Sequence, residues 1–133
     1  MTRYLLDTHS FLWTLSDDPQ LSSRAREIVS LTLPVKSESS LLVSLASLWE
    51  IAIKISRGRL TLGCSLEQMT LQAREAGMTL WPLQAQHVTC VATLPFHHGD
   101  PFDRVIAAQC LLDDLTLVSK DLIFDSYGVR RIW

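Results

Sequence analysis

Five acidic residues stand where short apolar runs end or where helices begin. Asp7 directly follows Arg3-Tyr-Leu-Leu6, and Glu50 lies in the segment that follows Leu41-Leu-Val-Ser44. Asp100 and Asp103 close His97-His-Gly-Asp-Pro-Phe-Asp103, and Asp121 comes two residues after Leu115-Thr-Leu-Val-Ser119. In an open parallel sheet, active sites collect outside the carboxyl ends of the strands. Carboxylates gathered there raise one another's pKa, so the cluster is unstable without a cation. A hard, all-oxygen donor set suits Mg2+ or Mn2+, which bind through a few carboxylates together with water and substrate phosphate. The chemistry on offer is metal-ion catalysis at a phosphate-bearing substrate.

Each acid also has a purely structural reading. Asp7 ends a strand and can cap a helix starting near Phe11. Ser47-Leu-Trp-Glu50 has the spacing of a capping box. Asp100 suits an N-cap before Pro101, Asp103 suits the N3 position favoured by the helix dipole, and Asp121 suits an ordinary turn. The functional argument therefore rests on the set and not on any one member.

The elements that must position these residues alternate in type. Residues 3–6, 41–44, 78–81 and 115–119 read as short strands, and Val129-Arg-Arg-Ile-Trp133 as an edge strand. Helices are expected around 11–15, from a Ser22 or Ser23 cap to Pro34, and over 45–57 with Gly58 at the C′ position. Others are expected from the Ser65-Leu-Glu-Gln68 capping box to Gly77, over 84–94, and from Pro101 through Leu112. Lys36-Ser-Glu-Ser-Ser40 reads as a polar loop. Strands alternating with helices imply a three-layer α/β/α fold around a central, mostly parallel sheet. Residues 1–133 are expected to form a single domain, with no internal repeat or linker.

The composition, 47% hydrophobic and 20% charged, is that of a globular chain and excludes extended disorder. No apolar stretch is long enough to span a membrane, and the first residues lack the pattern of a signal peptide, so the expected location is cytoplasmic. Cys64, Cys90 and Cys110 are odd in number and widely spaced, which predicts reduced core thiols and neither a disulfide framework nor a zinc site. A formal charge of −2 does not exclude a nucleic-acid partner, since sequestering four carboxylates on metal leaves a basic remainder.

In this setting three blocks resemble the PIN-domain family, and within it the VapC-like toxins of type II toxin–antitoxin pairs. Leu5-Leu-Asp-Thr-His-Ser-Phe-Leu-Trp13 is similar to that family's first strand and acid. The segment from Ser44 to Leu60, with its Ser-x-Trp-Glu pattern, resembles the helix bearing the second acid. Residues 97–133 resemble the C-terminal third, including Asp103 followed by Ile106-Ala-Ala108 and the Ser119-x-Asp121 pattern. The resemblance implies Asp7, Glu50, Asp103 and Asp121 as catalytic and metal-binding acids, with Asp103 preferred over Asp100 and Asp100 left as an N-cap or supporting acid.

The resemblance further implies a metal-dependent endoribonuclease using Mg2+ or Mn2+, an RNA substrate, a VapB-like antitoxin that blocks the site, and a homodimer. Lys54, Arg104 and Ser119 are the expected substrate-binding residues, with Ser119 also at a position where the family supports its site. Lys120 and the loop histidines His97 and His98 are further candidates, as is His9 beside Asp7. Trp13 and Trp49 read as core or dimer-interface aromatics. A haloacid-dehalogenase-like phosphatase would need an Asp two residues after Asp7, where His9 stands. A catalytically silent PIN-like module that binds RNA or protein is the alternative.

Overall fold

Strands buried on both faces read as uninterrupted apolar runs, and Leu5-Leu6, Leu41-Leu-Val43 and Leu117-Val118 are such runs. In the computed structural model, which describes residues 2–33 and 40–133, they form the middle of a five-stranded sheet. Its strands β1 (Arg3–Leu6), β2 (Ser40–Ser44), β3 (Thr79–Trp81), β4 (Thr116–Val118) and β5 (Arg131–Ile132) lie in the order β3-β2-β1-β4-β5. Every pairing is parallel, with Leu5 opposite both Leu42 and Leu117. The expected mostly parallel sheet is thus wholly parallel, with Arg131-Ile132 at its edge as expected.

Alternate residues of these strands point to opposite faces, and each face has its own core. Leu6, Leu41, Val43 and Val118 pack with Phe11, Ala25, Ile28, Ile51 and Met69. Leu5, Leu42 and Leu117 pack with Ala46, Ile106, Ala107 and Phe124. The covering helices are α1 (Thr8–Ser16), α2 (Ser23–Thr32), α3 (Leu45–Ser56), α4 (Leu66–Glu75), α5 (Ala85–Val91) and α6 (Pro101–Asp113). The chain leaves β1 for β2 on one side and reaches β4 on the other. That reversal opens a crevice at the carboxyl ends of β1 and β4, where such sheets bind ligands.

Most helix ends follow the sequence signals. Ser22 caps α2, Ser65 and Gln68 form the capping box of α4, and Gly58 takes φ 69° after α3. The expected stop at Pro34 and the polar loop up to Ser39 lie outside the described residues.

Local readings differ at four places. α1 starts at Thr8, because Asp7 accepts the Ser10 amide and caps a helix longer than its apolar stripe. α3 starts at Leu45 under a Ser44 cap, so Glu50 sits inside the helix and the Ser47–Glu50 capping-box reading fails. α5 ends at Val91 and not at Leu94, because the Arg104 guanidinium takes the carbonyls of Val91 and Leu94. A 3₁₀ helix, Leu122–Tyr127, follows Asp121, where the sequence offered only a turn. Among the described residues no helix is long and apolar enough to cross a membrane.

Candidate active site

Asp7, Glu50, Asp103 and Asp121 line one cavity of about 390 Å³, which Thr8, His98, Asp100 and Lys54 also border. Each acid arrives from a different element. Asp7 ends β1 and caps α1, Glu50 lies one face-turn into α3, Asp103 sits in the first turn of α6, and Asp121 caps the 3₁₀ helix after β4.

Asp7 is held on both carboxylate oxygens. Its Oδ1 accepts the Ser10 amide at 2.9 Å, and its Oδ2 accepts the Ser119 hydroxyl at 2.6 Å. Ser119 is fully buried, and its Oγ also accepts the Asp121 amide at 3.0 Å. One hydroxyl therefore sets the spacing between the acids that follow β1 and β4. Glu50 is buried and gripped from two sides: the Thr8 hydroxyl donates to Oε1 at 2.6 Å, and Lys54 Nζ lies 3.1 Å from Oε2. Ser47 Oγ stands 3.0 Å behind Thr8.

Asp103 carries the electrostatic signature of the cluster. Burial, with the charges of Asp100, Asp7, Glu50 and Asp121, pushes its pKa up to about 7 from an ordinary 3.8. Its neighbour His98 completes a tight group: one ligand-type atom from each of His98, Asp103 and Asp121 lies within 4.8 Å of the others. Asp7 and Glu50 line the same cavity without joining that group.

The proton on His98 decides what the ring does there. The Asp100 amide donates to His98 Nδ1 at 3.0 Å, so in the neutral ring that nitrogen bears the lone pair and Nε2 bears the hydrogen. Nε2 lies 3.2 Å from Asp103 Oδ2 and 3.9 Å from Asp121. A metal ligand needs a free lone pair on the same nitrogen. His98 is accordingly a donor that orients Asp103, while Tyr127 Oη accepts its backbone amide at 2.9 Å.

Residues 4–129 match the PIN domain. The chain belongs to the PIN-domain family. It is 30% identical over 125 residues to "Ribonuclease VapC22" of Mycobacterium tuberculosis, covering 91% of this chain and 88% of that protein. Its fold is similar to the crystal structure of VapBC2 from Rickettsia felis bound to a promoter DNA fragment, at TM-score 0.71 and 16% identity over 98% of both chains. VapBC-1 from nontypeable Haemophilus influenzae is similar at TM-score 0.67 and 20% identity, over 98% of this chain and 97% of that one.

Within this PIN domain, the four acids expected from sequence share one cavity, whereas two of the three expected substrate contacts are placed differently. Arg104 is buried under Phe96, its guanidinium 4.1 Å from the ring centroid. It donates to the carbonyls of Pro95, Val91 and Leu94 and to Tyr127 Oη. It turns away from the acids because its donors complete the end of α5, so the phosphate-contact reading is corrected. Ser119 supports Asp7 from inside the protein and has no surface left for substrate. Lys54 is half-exposed at the rim, as a phosphate contact requires. Asp100 caps α6 through Oδ1, accepting from Phe102 and Asp103.

Thr8 was not legible as a site residue, and His98, a candidate from sequence, was not legible as a donor to Asp103. Thr8 had only its adjacency to Asp7 to mark it, and His98 only its place before the α6 cap. The cysteines also depart from expectation: Cys110 is buried and its thiol pKa raised by that burial, but Cys64 is exposed.

Proposed function

We propose that this PIN domain, acting as one unit over the whole chain, is a metal-dependent endoribonuclease and the toxin of a VapBC-like pair. The observation that carries the reading is the convergence of four carboxylates from four elements on one cavity, with Asp103 pushed up to about 7 by its neighbours. So many carboxylates around one cavity fit a divalent cation.

Asp7, Glu50, Asp103 and Asp121 are the residues that would hold it. Bound there, Mg2+ or Mn2+ would supply an activated water and a counter-charge for the leaving oxygen of a phosphodiester. The chain's own groups do the rest. Ser119 and the Ser10 amide fix Asp7, Thr8 and Lys54 fix Glu50, and His98 fixes Asp103, so the oxygens are in place before substrate arrives. Lys54, half-exposed at the rim, would be available to the RNA backbone.

RNA as substrate is supported by the relative named a ribonuclease, and a VapB-like antitoxin by the fold shared with the VapBC proteins. On this reading the protein acts in the cytoplasm. A homodimer is supported by an almost wholly apolar hollow of about 220 Å³ between α3, α5 and α6. There Trp49 and Val88 are more than half exposed, and Trp49 meets Phe102 edge-on at 5.1 Å.

The deciding experiment incubates purified protein with total cellular RNA in Mn2+ or Mg2+. Cleavage that disappears with EDTA and with Asp7→Ala is expected. Cleavage in EDTA, or full activity in Asp7→Ala, sinks the reading. RNA binding without any cleavage would favour the silent module.

A further inference from the structure

A second cavity, about 590 Å³, opens beside the acidic one and shares His9, Trp13 and Lys54 with it. Its floor is apolar, built from residues that include Leu60, Leu62 and Met69. Its rim carries Lys54 and the exposed Arg59. Arg59 follows Gly58, whose φ of 69° turns the chain back after α3, and the Arg59 amide closes that turn on the Lys54 carbonyl at 2.8 Å. That turn brings Lys54 and Arg59 to the lining of one groove. At the mouth, His9 and Trp13 stack with ring centroids 5.5 Å apart and planes inclined by 25°, His9 exposed and Trp13 half-buried.

We propose that this groove is a nucleotide subsite for single-stranded RNA. It would take the nucleotide next to the cleaved phosphate, with its base against the Trp13–His9 pair and its phosphate between Lys54 and Arg59. The inference rests on the ribonuclease reading and adds a place for the base. Three features select this occupant. The groove is continuous with the acids, so a strand whose phosphate reaches them has its neighbouring nucleotide at the mouth. Its charge is opposite to that of the acidic cavity, so a polyanion is drawn away from the carboxylates and along the groove. An aromatic pair above an apolar floor suits the flat face that every base presents. The combination also sets a preference: a base stacks, whereas a bare sugar-phosphate strand meets only the cations.

The test is fluorescence anisotropy with labelled adenosine hexaribonucleotide and a base-free ribose-phosphate hexamer, in Ca2+ as a hard oxygen-seeking cation. The adenosine hexamer is expected to bind the wild-type protein about tenfold more tightly, on the scale of one stacked base. In Trp13→Leu, which keeps apolar volume in the core, that difference should shrink to about twofold or less. Arg59→Gln should weaken both hexamers alike and lower the salt dependence by about one phosphate contact. His9→Ala, at an exposed ring, should narrow the difference without touching the core, and serves if Trp13→Leu does not fold.

Absent binding, equal affinity of wild-type protein for the two hexamers, or a difference unchanged in both aromatic variants overturns the subsite. So does a Trp13→Leu protein that binds RNA normally but has lost affinity for the cognate antitoxin, which would make the groove a protein-docking surface. Metal-dependent cleavage of total RNA is scored separately, so a failed subsite and a failed ribonuclease reading give different results.

Discussion

Replacing Asp103 by Asn should make the metal-free protein more stable while abolishing its response to metal. The pKa of Asp103 stands at about 7 against an ordinary 3.8, so keeping it ionised at pH 8 costs about 4 kcal/mol relative to the unfolded chain. The cost is shared among several carboxylates and partly screened, because the side chain is 22% exposed. Asn keeps the shape and the acceptor for His98 but carries no charge, so a gain of about 2–4 kcal/mol is expected at pH 8 in EDTA.

For a chain of this length, that corresponds to a rise in Tm of about 7–14 °C. The sign with pH follows from the raised pKa. The stability given by the protonated carboxyl is fully present below 3.8 and is lost as pH rises through about 7. The variant's advantage should therefore be largest above pH 7 and shrink to about 1–2 kcal/mol at pH 5. Thermal melts of both proteins at pH 5 and pH 8, with EDTA and with Mn2+, read all of this at once. Mn2+ should raise the wild-type Tm at pH 8 far more than that of the variant. A destabilised Asp103→Asn in EDTA at pH 8, or one that still gains fully from Mn2+, would refute the electrostatic account of the cluster.

Three further substitutions separate roles that the cavity combines. Ser119→Ala removes the donor to Asp7 Oδ2 and should weaken Mn2+ binding about 10–100-fold by calorimetry, with only about 1–2 kcal/mol lost in stability. His98→Gln should reduce metal affinity within that same range of about 10–100-fold, while Mn2+ electron resonance shows no nitrogen coupling in the wild type; a directly coordinated nitrogen would contradict the donor role. Arg104→Met leaves the part-buried carbonyls of Val91, Leu94 and Pro95 without their donor and should cost about 1–3 kcal/mol in urea unfolding. The same change should leave the salt dependence of RNA binding untouched, whereas a reduced salt slope would return Arg104 to the phosphate-binding set.

Short, uninterrupted apolar runs alternating with helical segments made the parallel sheet legible, and the position of each acid relative to a strand end or helix start made the cluster legible. What the sequence could not show was direction. Arg104 lies next to Asp103 in the chain, yet a helical turn and the carbonyls left open at the end of α5 take its guanidinium elsewhere. Ser119 reads as a polar residue at a strand end, and only the pairing of β1 with β4 brings its hydroxyl under Asp7. Thr8 and Glu50 meet across 42 positions of chain, and no local pattern encodes that contact. The 3₁₀ helix after Asp121 escaped because its apolar residues, Leu122, Ile123 and Phe124, are too few to set a period.

The hydrogen bond from Ser119 to Asp7 spans 112 positions of chain. Contacts so distant in sequence form late, because the loop between them must be closed before they give anything back. A partly folded chain that has formed β1 and β2 would therefore carry Asp7 and Glu50 without the hydroxyl that holds one of them or the acids that complete the set. The proposed ribonuclease activity would then begin only when the last central strand docks, which makes the finished tertiary structure itself the safety catch during synthesis.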